Sequence, residues 1–116
     1  MRGLLMPHHK RDEGKLRYNQ LPALALEELA RVFHFGAEKY GDRTYLKVDN
    51  LHDRYLSAAM RHLQAYRIGE RLDRESRLHH TAHAAACLMI ILEADLLEGL
   101  AIKKELFNLA NRVPSE

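Results

Sequence analysis

The chain has 116 residues, 47% of them hydrophobic and 29% charged, with a formal net charge of +2. This length suits one domain with a modest core, and the balance is that of a soluble globular protein. A charge so close to neutral sets up no global field for a nucleic-acid polymer or a membrane surface, and a single cysteine, Cys87, excludes an internal disulfide or a cysteine-rich zinc site.

Basic residues do cluster locally, near the N-terminus and from Arg61 to Arg77. Such a patch fits a small anionic ligand better than a long polyanion. One unpaired cysteine points to a reducing, cytoplasmic setting. The longest apolar run, Ala84 to Leu92, is far short of the ~20 residues of a membrane span. The opening "MRGLLMPHHK" is too short in its apolar part for a signal peptide.

Residues 1–19 read as a polar lead-in interrupted by Pro7 and Gly14, followed by one all-α domain over 20–112. The first helix is expected to start at Pro22, with Leu26, Leu29, Ala30, Phe33 and Ala37 at helical spacing and Gly41 at its end. Gly41 to Asn50 reads as a loop. Asp49 or Asn50 would cap a second helix, "LHDRYLSAAMRHLQAYRI", closed by Gly69. Glu70 to Glu75 is a polar connection, with Asp73 or Ser76 available to cap a third helix from about Arg77 to Glu98. Gly99 would separate it from a short fourth helix, "LAIKKELFNLAN". Ala84 to Leu92 is apolar on every side, so this helix needs cover all round. The expected fold is a helical bundle of three main helices and a short C-terminal one, completed by a second copy of the chain. The alternative is a monomer with folded-back termini.

Chemistry concentrates where the third helix begins. His80 and His83 are three residues apart and His79 and His83 four, so either pair shares a face. The positive end of the helix dipole biases these imidazoles toward the neutral, ligand-competent form. Glu70 and Asp73 stand three apart just upstream, and Glu75 follows. Carboxylates alone suit Mg²⁺; mixed imidazole and carboxylate suits Mn²⁺, Zn²⁺ or Fe²⁺. The same residues also serve as caps and ion pairs with Arg67, Arg71, Arg74 or Arg77. On the second helix, Ala58, Ala59 and Ala65 keep the surface thin, while Arg61 and His62 project nearby. Arginine can hold a phosphate by two parallel bonds. Glu27, Arg31, His34 and Glu38 form a polar stripe on the first helix, which leads into Lys39 and Tyr40. The His52–Asp53 doublet lacks partner ligands in the order an HD-type phosphohydrolase needs.

The blocks "GKLRYNQLP", "ELARVFHFGAEKYG", "RYLSAAMRHLQAYRIGE" and "DRESRLHHTAHAAA" resemble the phage-associated dATP/dGTP diphosphohydrolase N-terminal domain family, over roughly residues 14–98. The likeness extends, more distantly, to all-α nucleotide pyrophosphohydrolases of the MazG type. The family's GA-x-KYG, RH, GE-x-x-D-x-E-S and H-x-x-H-A elements fall on Gly36 to Gly41, Arg61–His62, Gly69 to Ser76 and His80 to Ala84. The resemblance implies metal-dependent cleavage of a purine deoxynucleoside triphosphate to monophosphate and pyrophosphate, in host cytoplasm if the chain is phage-encoded, by a homodimer or larger homo-oligomer. It departs from the pattern in three places. Tyr45 stands near the family's tryptophan, Arg77 stands where the family favours glycine, and no E-x-x-E pair precedes Glu70 and Asp73, so that Glu27, Glu28 or Glu38 would have to serve.

The roles expected on these grounds are as follows. Glu70 and Asp73 ligate Mg²⁺, or alternatively Mn²⁺ or Zn²⁺, with Glu38 and Glu75 contributing. His80 and His83 complete the shell or orient the attacking water. Lys39 and Arg61 hold phosphates, with His62 beside them, and Tyr40 or Tyr45 stacks on the base. Two alternatives stand beside this reading: a non-catalytic helical module that binds nucleotide or protein, and a different phosphohydrolase with histidines as principal metal ligands.

Overall fold

A computed structural model describes residues 13–112. Three helices, α1 (Ala23–Tyr40), α2 (Leu51–Arg67) and α3 (His80–Ala110), carry the fold, with short 3₁₀ turns at Tyr18–Gln20 and Thr44–Lys47. The described residues hold no β-strand, only an isolated bridge between Leu72 and His79. The architecture is all-α.

Pro22 stands just before α1 in extended conformation, and its carbonyl accepts the Leu26 N–H at 2.9 Å. The helix closes at Gly41, whose φ of 102° no L side chain adopts comfortably and whose N–H reaches the Ala37 carbonyl at 2.8 Å. Arg43 and Asn50, at φ 56° and 58°, bracket the turn that leads into α2. Asn50 therefore contributes a left-handed backbone, which asparagine tolerates, and not the expected side-chain cap: its side chain makes no capping bond. At the other end of α2, Glu70 N–H bonds to Ala65 O and Gly69 N–H to Tyr66 O, the paired closure that a left-handed glycine permits.

Two expectations for the third helix are corrected. It starts at His80, not Arg77, because the preceding residues close a loop of their own. Asp73 N–H bonds to Leu78 O, His80 N–H to Arg71 O and Arg77 N–H to Asp73 O. Asp73 caps that loop, accepting the N–H groups of Glu75 and Ser76 at 3.1 and 3.0 Å. The separate fourth helix does not exist either, since α3 runs unbroken for 31 residues through Gly99. Glycine inside a helix costs only about 1 kcal/mol relative to alanine, and no proline or cap stops the chain there.

α3 lies along both α1 and α2. Ala59, Ala82, Ala84, Ala86, Cys87 and Ile90 are buried at these contacts, and Val32 on α1 joins Ala82 and Ala86, flanked by Leu29, Phe33 and Leu78. Small side chains here bring the backbones close and put the neighbouring imidazoles within reach of one another. Cover is one-sided, however: Leu88, Met89 and Leu92 on α3 are about half exposed.

Candidate metal and phosphate site

His62 lies on the face of α2 that Ala58 and Ala59 open toward α3. Its Nδ1 stands 2.8 Å from Nδ1 of His80, in the first turn of α3. His80 is 5% exposed, and its Nε2 lies 2.8 Å from Glu70 Oε1. A bond from Arg74 first, and then the one from His80, holds the Glu70 carboxyl below its ordinary range. The carboxylate therefore accepts the Nε2–H of His80, which leaves the His80 lone pair at Nδ1, facing His62. Burial first, then repulsion from His83 and His80, lowers His62 to about 4, so it is neutral at physiological pH.

Asp73 completes the group. One ligand atom each from His62, Asp73 and His80 lie within 4.8 Å of one another. Partial burial raises the Asp73 carboxyl, but the Ser76 and Glu75 N–H donors prevail and hold it below the ordinary value. The loop closure that displaced Asp73 from the helix cap is thus what turns it toward the histidines.

A second layer stands beside this one. The His83 ring stacks on His62, with centroids 4.6 Å apart and planes 10° apart. Ser76 Oγ, which accepts the Leu78 N–H, is 2.6 Å from His83 Nε2. Phe35 meets the His83 ring edge-on, and burial pushes His83 down. From α1, Lys39 Nζ reaches both oxygens of Glu75, at 2.8 and 2.6 Å, and lies 5.2 Å from the Tyr40 ring centroid.

These groups open on a cavity of about 1100 Å³ between α1, α2, α3 and the 41–48 connection. Of the residues singled out in the sequence, Lys39, Tyr40, Tyr45, Arg61, His62, Asp73, Glu75 and His83 line it. Glu70 and His80 stand behind the lining, with both Glu70 oxygens engaged, one by His80 and one by Arg74. Glu38 is not among the lining residues and pairs at 3.3 Å with His34, which is one of them. Tyr45 is set by an edge contact with Phe33, and Arg61 donates to Ser57 Oγ. Arg43, Lys47 and Arg54 also line the cavity, and neither they nor Ser76 had been given a ligand or positioning role from sequence. The phosphate roles expected of Lys39 and Arg61 anticipated part of the positive lining, and the His83–Ser76 spacing of seven residues carried no signal of contact.

The full set of donors, a cavity of nucleotide size and a basic lining meet a sequence match that spans them. Residues 6–103 match the model of the family described as dATP/dGTP diphosphohydrolase, N-terminal. The chain belongs to this family. A dATP/dGTP diphosphohydrolase of Salmonella phage PMBT28 is 38% identical to this family member over 84 residues, which are 71% of this chain and 28% of that protein. The chain therefore spans little more than a quarter of the length of that diphosphohydrolase. No solved structure matches this family member.

Proposed function

We propose that this domain holds a divalent cation at His62, Asp73 and His80 and hydrolyses dATP or dGTP to the monophosphate and pyrophosphate. The observation that carries the proposal is the convergence of those three donors beside a basic cavity, in a chain of this family. The donor set fits a cation: two nitrogens 2.8 Å apart can both reach one ion at the ~2.0–2.1 Å bond length of imidazole. Two imidazoles and a carboxylate favour Mn²⁺, Zn²⁺ or Fe²⁺; Mg²⁺, which prefers oxygen ligands, is the alternative, with substrate phosphates supplying the remainder. A divalent ion held by His62, Asp73 and His80 would supply Lewis acidity to a phosphoryl oxygen and lower the pKa of a bound water.

The chain's own residues supply the rest. Glu70 sets the His80 tautomer and keeps Nδ1 free for the cation, as second-layer carboxylates do for metal-binding histidines. Arg61 and Lys39 meet the phosphates, where negative charge is redistributed during transfer. A triphosphate that draws Lys39 away frees Glu75, whose carboxylate takes the proton of the attacking water. His83, held at Nε2 by Ser76, presents Nδ1 to the phosphate being transferred. Water's oxygen bonds to the α-phosphorus, the bond to the bridging oxygen breaks, and pyrophosphate leaves. Tyr40 and Tyr45 flank the base. The free, buried Cys87 suits a reducing cytoplasm, and the chain works there as a homo-oligomer.

Pyrophosphate release from dATP and dGTP, measured with Mn²⁺, Mg²⁺ and Zn²⁺ in turn, tests this. Asp73→Asn should retain the loop, because its amide oxygen still caps it, and lose at least about a hundredfold in kcat/KM. Absence of turnover with every cation and nucleotide overturns the proposal. A second reading, nucleotide binding without turnover, draws on the complete pairing of buried side-chain polar atoms among the described residues. It predicts no rise in melting temperature with metal, whereas a bound cation raises it.

A further inference from the structure

Two contacts fix the register of α2 against α3. His62 meets His80 and stacks on His83 at one end, and His52 Nε2 stands 2.6 Å from Asp95 Oδ1 further along. The helices therefore run antiparallel, and Tyr55 falls level with Ile90 between these contacts. His62 to Tyr55 and His83 to Ile90 are both steps of seven residues, which is two turns on one face and ~10 Å along the axis.

The cavity changes character over that distance. Its imidazole end carries Asp73, Glu75, Lys39 and Arg61, whereas near Tyr55 the helices present Ala58, Ala86, Cys87 and Ile90. Arg43, Lys47 and Arg54 line the cavity too but are exposed, while Tyr55 is partly buried and Cys87 buried. Apolar walls of this kind receive a base and disfavour a phosphate. With the α-phosphate at the imidazole end, a purine nucleotide spans the distance to Tyr55 with the far edge of its base. A pyrimidine, one ring shorter, stops before it.

Tyr40 and Tyr45 flank the base, and Tyr55 is the third tyrosine of the lining. Among the described residues its hydroxyl makes no hydrogen bond; burial first, then proximity to Cys87 and Tyr40, raises its phenol. Burial likewise raises the Cys87 thiol. Both groups therefore keep their protons at neutral pH, and a neutral hydroxyl both donates and accepts. Adenine and guanine present opposite groups at ring position six, an amino donor and a carbonyl acceptor. A rotating hydroxyl serves both, where a carboxylate or a guanidinium serves one.

We propose that Tyr55 reads ring position six of the substrate base, donating to the guanine carbonyl or accepting from the adenine amine, with Cys87 beside it on the facing helix. This rests on the proposed function and supplies its specificity: both purines are admitted and pyrimidines are not.

Isothermal titration of the intact chain in Mn²⁺ tests this without turnover. The probes are the α,β-methylene analogues of dATP, dGTP and dCTP, with inorganic tripolyphosphate as a control that has no base. Wild type should bind both purine analogues at least about tenfold tighter than the dCTP analogue. Tyr55→Phe keeps the ring and should weaken both purine analogues about three- to tenfold, the range of one neutral hydrogen bond. Tripolyphosphate affinity and melting temperature should not change. The matching analogue of purine deoxyriboside triphosphate, which has no group at position six, should bind wild type and Tyr55→Phe alike. Equal loss on that analogue or on tripolyphosphate, no loss on the purine analogues, or equal binding of the dCTP analogue overturns the proposal. A wild type that binds no nucleotide analogue overturns the proposed function as well. A wild type that binds them with this dependence on Tyr55, yet releases no pyrophosphate from dATP or dGTP, upholds the base contact and overturns the turnover alone.

Discussion

His80 shows how one buried side chain organises the site. Its ring is held at Nε2 by Glu70 and faces His62 with Nδ1, so the two sequence-adjacent ideas, acidic connector and imidazole pair, act in series and not side by side. Glu70→Gln removes the charge that fixes the tautomer; it should weaken Mn²⁺ affinity about 10- to 100-fold by isothermal titration while the helical content stays unchanged. His62 is lowered to about 4, chiefly by burial, and His83 is lowered by burial too. An unfolded chain takes up these protons near the ordinary histidine value of about 6.5, before the folded chain does. Stability of the metal-free protein is therefore fully present above that pH and falls as pH drops from about 6.5 toward 4. Melting temperatures in EDTA across this range check it, and His62→Leu should flatten much of the slope. Glu28, Glu70 and Asp73 are lowered carboxylates, so their stabilisation is lost only at still more acid pH.

Secondary structure was legible where the cause is local. Gly41 and Gly69 end α1 and α2 as the sequence indicated, each at φ 102°, because the need for a left-handed residue is written in the residue itself. The loop before α3 was misread because its closure depends on partners: Leu72 meets His79, and Asp73 turns inward to cap Glu75 and Ser76. That geometry also bears on the glycine that the family resemblance leads one to expect at this position: Arg77 sits at φ 63°, a conformation that costs a non-glycine residue roughly 1 kcal/mol. Arg77→Gly should accordingly raise the melting temperature by several degrees in a thermal melt; a fall would mean that the arginine side chain contributes more than the backbone strain removes. Gly99 was overread as a break because its cost is smaller than the gain of continuing an otherwise favourable helix.

At the scale of the whole molecule, α3 carries two apolar faces, and among the described residues one is covered. The all-round apolarity of Ala84 to Leu92 was visible in sequence, yet which side needs a partner was not. Ala84, Ala86, Cys87 and Ile90 turn inward while Leu88, Met89 and Leu92 remain half exposed, and the bare strip continues well beyond them to Leu109. The homo-oligomer of the proposed function predicts that dilution from micromolar to low nanomolar concentration lowers the melting temperature, because stability is then shared between folding and association.

The sequence by itself determined that the protein is helical, where α1 and α2 end, which family it belongs to and that acids and imidazoles crowd the start of α3. Helicity, the helix ends and the crowding follow from periodicity, from glycine's backbone freedom and from residues close in the chain; the family follows from the likeness of several sequence blocks to it. Only the tertiary structure decided that His62 from α2 joins Asp73 and His80, that Glu70 stands behind them, that Glu38 pairs with His34 and that one face of α3 is left uncovered by the described residues. Those outcomes depend on how closely the alanine-lined helices approach and on how the loop folds back, and neither is encoded in the spacing of any single segment.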